Sequence, residues 1–286
     1  MLRILFYLLG GLGVVIALLA AVSWVAERAW ELKVKREVQE LFAGATEKTG
    51  DRIITEADLQ GLPACVQKWL KKSKVTGKRR VGTVRLKQSG VIRTQEGQPW
   101  LPFEAVQYYT VDRPGFIWKA RVKAAPLIHL VGRDRYFNGT GNMLIKFLVL
   151  KTVADGKGAK MNQGALLRFL SEIMWFPSAT LSEYIRWEAV DENSARAIMT
   201  YKDVTASGVF TFSAQGDPVE FVAKRYRATD DGYSLDTWSG VVRGYREFGG
   251  VRIPAQVEVM WKFEAGDFSY FQGEVIELEY DVPMEY

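Results

Sequence analysis

The hydrophobic pattern changes period twice along the chain. Ile4 to Ala26, ILFYLLGGLGVVIALLAAVSWVA, runs 23 residues without a charge. At 1.5 Å per residue such a run crosses a hydrocarbon core of ~30 Å. Tyr7 and Trp24 sit near its two ends, where aromatic rings favour the interface. It predicts an uncleaved transmembrane helix over residues 1–26, since the apolar region of a signal peptide is normally shorter. Residues 27–43, ERAWELKVKREVQELFA, then place Trp30, Val34, Val38, Leu41 and Phe42 at spacings of three and four among charges. That is an amphipathic helix. Thr55, followed by Glu56 and Asp58, reads as the cap of a short helix, and Pro63 as the start of another through Leu70. Residues 27–80 are therefore a helical juxtamembrane region and linker.

From about Val81 the period falls to two. FIWKARVKA alternates Phe116, Trp118, Ala120 and Val122 against Ile117, Lys119, Arg121 and Lys123. VEVMWKFE sets Val257, Val259, Trp261 and Phe263 against Glu258, Lys262 and Glu264, and VIELEYD sets Ile276, Leu278 and Tyr280 against Glu277, Glu279 and Asp281. Strands with one apolar and one wet face belong to an antiparallel sheet. Turn-forming clusters such as DRPG, NGTGN, TDDG and AGD separate them. Nine to eleven strands are expected over 81–286, interrupted once by a helix at about 163–175. The fold class is mainly β (α+β), a large curved antiparallel sheet or half-barrel with that helix packed on its apolar side.

The helical run QGALLRFLSEIMWFPSATL has its own asymmetry. At 100° per residue Leu166, Phe169, Leu170 and Ile173 centre on one side, while Arg168, Glu172 and Trp175 cluster on the other. A Trp on the polar side of a solvated helix is wasteful. Either Trp175 folds over the helix end, or the helix is covered on two sides and the Arg168/Glu172 pair lies at a cavity. Arg168, Glu172 and Trp175, together with Trp118 and Trp261, are the candidate ligand-facing residues. Trp187 is a further candidate wall residue, and all four tryptophans serve equally well as core.

Composition narrows the chemistry. Net charge is +5, but Leu59 to Gln95 contains no acid and carries Lys71, Lys72, Lys74, Lys78, Arg79 and Arg80 among its basic residues. That segment is a candidate surface for anionic headgroups, with nucleic acid the weaker alternative and a solvated basic face the plain one. His129 is the single histidine and Cys65 the single cysteine. Intrachain disulfides and most His-based metal sites and triads are thereby excluded. His129 in APLIHLVGRDRYF reads as a hydrogen-bonded packing residue. Gly77 and Gly82 have P-loop spacing but lack the Lys-Ser/Thr that follows in that motif. Glu258/Glu264 and Glu277/Glu279 share sheet faces as solvated residues rather than as a catalytic carboxylate pair. No metal or cofactor is expected, and no catalytic residue.

Seven motifs, including GLPACVQKWLKKSKVTGK, PWLPFEAVQYYTVDRPGFIWKARV, GRDRYFNGTGNMLIKFL and WSGVVRGYREFGGVRIPAQVEVMW, resemble in order those of a bacterial family of unknown function. The resemblance runs from about Leu62 to Tyr280 and implies one membrane segment before the domain, with no activity to carry over. More loosely, the strand-rich half-barrel with an inserted helix is similar to the lipoprotein-carrier (LolA-like) fold, which implies a concave face that holds acyl chains. The expectation is a single-pass protein of the bacterial cytoplasmic membrane whose β domain binds a lipid or other hydrophobic ligand. A very short tail before the first apolar segment favours export of that domain, although the Lys and Arg residues after the span weigh the other way. The alternatives are an interaction module acting through the basic patch and a carboxylate-dependent hydrolase using Glu172 or another buried carboxylate.

Overall fold

The structure, a computed structural model, describes residues 2–45 and 52–286, with side chains described from Ala21. Helix α1 (Leu2–Ala43) is followed by a 3₁₀ turn (Glu56–Leu59) and helix α2 (Ala64–Lys72). Six strands come next: β1 (Thr83–Ile92), β2 (Leu101–Thr110), β3 (Gly115–Ala125), β4 (Ile128–Phe137), β5 (Thr140–Phe147) and β6 (Lys151–Gly156). Helix α3 (Ala159–Glu172) and two 3₁₀ turns (Ile173–Trp175 and Pro177–Leu181) separate them from the remaining strands. These are β7 (Ile185–Asp191), β8 (Ser194–Tyr201), β9 (Val204–Phe212), β10 (Pro218–Thr229), β11 (Gly232–Phe248), β12 (Val251–Phe263) and β13 (Gly266–Tyr280).

All thirteen strands form one antiparallel sheet in the order β6-β5-β4-β3-β2-β1-β13-β12-β11-β10-β9-β8-β7. The pairing of β1 with β13 joins two meanders at the middle of the sheet. The two edges, β6 and β7, are the strands that α3 connects, so the helix crosses the concave face from one wing to the other. The count exceeds the nine to eleven expected from alternation, because the short edge strand β6 exposes most of its residues and carries little periodic signal. The α3 segment starts at Ala159, four residues before the expected Gln163, and its α-helical part stops at Glu172. Pro177 heads the second 3₁₀ turn, where its fixed φ and missing N–H are tolerated.

Two strand faces differ from their alternation. A bulge opposite Lys87/Gln88 leaves Ile276 as the unpaired residue of β13, between Val275 and Glu277 in the register. Ile276 is thereby exposed, while Val275 and Leu278 are buried; an inserted residue shifts the faces on either side of it. On β3 the expected wet face is instead covered by α1. Trp30, Val34, Val38 and Leu41 pack with Ile117, Val131 and Leu144, and Lys119 meets Glu31 at 2.7 Å. Arg121 meets Glu27, and the buried Arg133 meets Glu37 at 2.9 Å. The helix expected over 27–43 is thus the C-terminal part of α1, docked on the convex face.

The sheet has two ends. Turns β1–β2, β3–β4, β5–β6, β10–β11 and β12–β13 lie at one, here the hairpin end. At the other, Leu41 of α1 sits against Gly115, and α2 closes the sheet by placing Trp69 against Phe210 and Phe212. Thr55 caps the 3₁₀ turn as its sequence suggested: its N–H and hydroxyl both donate to Asp58 Oδ2, at 2.8 and 2.7 Å.

Candidate functional site

The concave face is filled only in part. Towards α2 it is packed with aromatic rings: Tyr109 stands 4.8 Å from Phe176 and 6.2 Å from Phe169, centroid to centroid. Towards the hairpin end the sheet curves past α3 and leaves a cavity of about 570 Å³. Trp118, Val122 and Leu130 form one wall from β3 and β4, and Val257, Val259 and Trp261 of β12 form the opposite one. Strand alternation alone aims these side chains inward, since each set shares one face of its strand. Glycines leave the room. Gly132, Gly164 and Gly240 all line the space, and a Cβ on Gly240 would meet no atom within 4 Å.

The floor of the cavity is polar and comes from α3. Arg168 donates from Nε to Glu172 Oε1 at 2.8 Å and from Nη1 to Asp134 Oδ2 at 2.6 Å. The other Glu172 oxygen, Oε2, accepts from Gln107 Nε2 and from the Tyr109 hydroxyl, each at 2.9 Å. The guanidinium also lies 5.1 Å from the Trp118 ring centroid. Burial disfavours the Arg168 charge, but the carboxylates of Glu172 and Asp134 outweigh it and raise its pKa. Burial, and then the Glu172 charge, push the Tyr109 hydroxyl well above its ordinary range, so it stays a donor. With both oxygens of Glu172 engaged, this is a satisfied structural network rather than a free acid or base.

Of the candidate residues, Arg168, Glu172, Trp175, Trp118 and Trp261 all line this one cavity. Leu166, Phe169, Leu170 and Ile173 are completely buried in the main core, so the helix is covered on two sides. Trp175 packs its ring on Tyr109 at 6.5 Å and accepts the Tyr280 hydroxyl at its carbonyl, 2.7 Å away. Trp187 lies elsewhere, edge-on to Trp69 and tilted against Phe210.

The rim carries residues that sequence reasoning did not single out. Lys160 lies over the rings of Tyr226 and Tyr233, at 5.3 and 5.1 Å, and Arg225 lies over Trp238 at 4.9 Å. Neither meets a carboxylate among the described residues. Asp134 and Gln107 were also missed. Each is a polar residue on an otherwise inward-facing strand register, Asp134 between Gly132 and Tyr136 and Gln107 beside Tyr109, and that misfit was the available signal.

Half of the basic patch is paired with carboxylates. Lys71 meets Glu56 and Lys72 meets Asp217, both at 2.6 Å, and Lys74 meets Glu247 at 2.5 Å. Arg80 donates to Ser182 at 2.7 Å, and Lys78 reaches the Gly249 carbonyl at 3.4 Å. Arg79 forms an isolated backbone bridge with Ile53. The carboxylate partners from β10–β11 are distant in sequence, which is why the run looked bare of acids. Glu277 and Glu279 pair in turn with Lys87 and Arg85, at 2.8 and 2.7 Å. His129 is a packing residue of β4 whose Nε2 stands 3.8 Å from Glu27 Oε2. Contrary to expectation, that buried nitrogen has no hydrogen-bond partner among the described residues. Burial, then the nearby Arg121, lower its pKa.

Among the described residues no group of side chains is arranged to hold a metal ion, and no helix is long and apolar enough to cross a membrane. Most of the predicted span lies outside the described side chains.

A curved antiparallel sheet crossed by one helix over a partly apolar cavity places the chain in a class of half-barrel domains. The chain belongs to DUF6544, a family of unknown function whose model matches residues 52–273. No curated protein matches it. Among solved structures it is similar to a LolA superfamily protein from Nitrosomonas europaea, at 7% identity and a TM-score of 0.43, over 76% of this chain and 91% of that one. It is also similar to a DUF1329 family protein from Desulfovibrio piger, at 11% identity and a TM-score of 0.44, over 78% and 94%. A domain assigned to an outer membrane lipoprotein-sorting protein of Vibrio parahaemolyticus gives 13% identity and a TM-score of 0.41, over 71% and 87%. Scores of this size carry no functional weight, so function must rest on the residues of this chain.

Proposed function

We propose that this protein binds a lipid or similar amphiphile in the cavity between β3–β4, β12 and α3. The observation that carries the reading is the cavity itself. Its volume falls within the roughly 300–1,000 Å³ of small-molecule sites, and like them it has apolar walls, here joined to a polar floor and a charged rim. Trp118, Val257, Val259 and Trp261 suit an acyl chain, and Lys160 and Arg225 on the rim, which meet no carboxylate among the described residues, suit an anionic head. The satisfied Arg168–Glu172–Asp134 network would bound the chain at the floor.

In this reading Ile4–Ala26 anchors the protein in the bacterial cytoplasmic membrane, with the β domain on the outer side. The 23 uncharged residues support the anchor. Native mass spectrometry of the full chain, released from detergent, tests the ligand. A retained amphiphile mass that survives collisional stripping of bound detergent is expected. Bare protein at every collision energy, together with no uptake of a fluorescent fatty acid, would contradict the reading.

A further inference from the structure

Helix α1 leaves the β domain at the hairpin end, where the cavity lies. Its contacts fix the direction: Leu41 is beside Gly115, at the start of β3, and Glu27 meets Arg121, near the end of β3. The 14 steps from Glu27 to Leu41 span about 20 Å of helix, and the basic segment stands at the opposite end, where Lys74 meets Glu247 at the end of β11. Val22, Trp24 and Val25 on the departing helix are all exposed.

The two hairpin tips beside that departure are unusual. Residues 124–128, AAPLI, and 148–151, LVLK, carry apolar side chains where turns normally carry Asn, Asp or Gly. Leu127, Leu148 and Val149 have φ of 63°, 48° and 63°, a left-handed backbone that costs leucine and especially β-branched valine. Val149 gains burial against the Trp30 cluster in return. Leu127 gains nothing within the fold, since it is 95% exposed, and Ile128, Leu150 and Val153 are exposed around it.

Charge has the same placement. Lys123 and Lys151 are exposed, Lys146 is half-buried, and none meets a carboxylate among the described residues. No acid occurs from Arg113 to Arg133 or from Arg135 to Ala154. The β10–β11 and β12–β13 tips, by contrast, carry Asp230, Asp231, Glu264 and Asp267.

We infer that the β3–β4 and β5–β6 tips form a contact with an anionic lipid bilayer, seating the cavity opening on the membrane surface. Leu127, Ile128 and Leu150 enter the boundary between headgroups and acyl chains, and the lysines meet anionic headgroups. Val122 and Leu130, on the cavity wall, belong to the strands that reach the first tip, so an acyl chain has a short apolar route inward. The acidic tips belong to the other wing of the sheet, β10–β13, across the cavity from the bilayer contact. The inference rests on the membrane-anchor reading, because it takes its direction from α1.

The test uses the full chain in vesicles of phosphatidylcholine with phosphatidylglycerol. An environment-sensitive nitrobenzoxadiazole probe is placed on Leu127→Cys, Leu150→Cys, Trp24→Cys or Ile53→Cys, with buried Cys65 left unlabelled. Ile53 is exposed at the opposite end, next to Arg79. Blue-shifted emission and quenching by doxyl-labelled lipid are expected at Leu127, Leu150 and Trp24, and neither at Ile53. Charge reversal of Lys123 and Lys151 should reduce the quenching at Leu127, as should vesicles of phosphatidylcholine alone. Quenching at Trp24 with water-like emission at Leu127 and Leu150 overturns the inference while leaving the anchor standing. Water-like emission at all three overturns both. Quenching at Ile53 instead would place the basic segment on the membrane and reverse the orientation.

Discussion

The two halves of the concave face are built from the same residue types and reach opposite outcomes. Towards α2, Trp69, Phe210, Phe212, Tyr109, Phe169 and Phe176 interlock with no room left. Towards the hairpins, Trp118 and the cross-strand partners Trp238 and Trp261 border about 570 Å³ of space. Aromatic content does not distinguish them. What differs is that α2 and α3 supply a second layer on one side, whereas glycines at 132, 164 and 240 hold the other side open. A packed core and a ligand cavity thus follow from where the helices stop and where side chains are withheld.

The largest break in that comparison should come from Phe169→Ala. It removes a completely buried ring and should cost about 3–5 kcal/mol, the range for large-to-small aromatic changes in cores. Val257→Ala on the cavity wall should cost about 1 kcal/mol or less, since the space beside it is already open. Chemical denaturation of the two variants measures the contrast, and equal losses would mean that the halves are packed alike. Next comes the network between them. Arg168→Met strands the Glu172 and Asp134 carboxylates in a largely buried site, which should cost about 3 kcal/mol; a loss below ~1 kcal/mol would show that solvent already screens them.

A subtler change sharpens the comparison. Gly240→Leu adds a side chain into open space and should shift stability by no more than about 1 kcal/mol, because it neither overpacks the site nor empties it. It should still lower fluorescent fatty-acid uptake severely, separating fold from binding in one variant. The smallest effect lies away from both halves. The Thr55 N–H, then its hydroxyl and Arg52, hold the exposed Asp58 carboxyl at about 2, below its ordinary 3.8. A depressed folded-state value means that the cap's contribution is complete above about pH 3.8 and is lost as pH falls through 2. Amide exchange at Thr55 should therefore accelerate across that window, with global stability barely altered.

Much of this was legible in the chain. The inward faces of β3 and β12 followed from alternation, and a Trp sharing a stripe with Arg168 and Glu172 left two readings open, a ring folded over the helix end or a helix covered on two sides. Both signals are local, set by the periods of strand and helix. The bulge that exposes Ile276 was not legible, because a one-residue shift depends on the partner strand. The neutralisation of Lys72 by Asp217 and of Lys74 by Glu247 was hidden for a similar reason, as those acids are remote in sequence and are met only where α2 packs across the end of the sheet, Trp69 against Phe210 and Phe212. Nothing in the sequence set the cavity glycines at 132, 164 and 240 apart, since nothing nearby in sequence reports empty space. The α1 face on β3 was read as wet because Lys119 and Arg121 look solvated until Glu31 and Glu27 arrive.

One measurement bears most directly on the cavity. A palmitate carrying a terminal diazirine is photolysed with the full chain in vesicles, and the labelled peptides are mapped by mass spectrometry, with Gly240→Phe as the filled control. Labels on the β12 peptide around Val257 and Val259 and on the β3 peptide around Trp118 are expected, reduced about tenfold or more in Gly240→Phe. Labels confined to α1, or equal labelling of the cavity peptides in both proteins, would show that the acyl chain does not occupy this space.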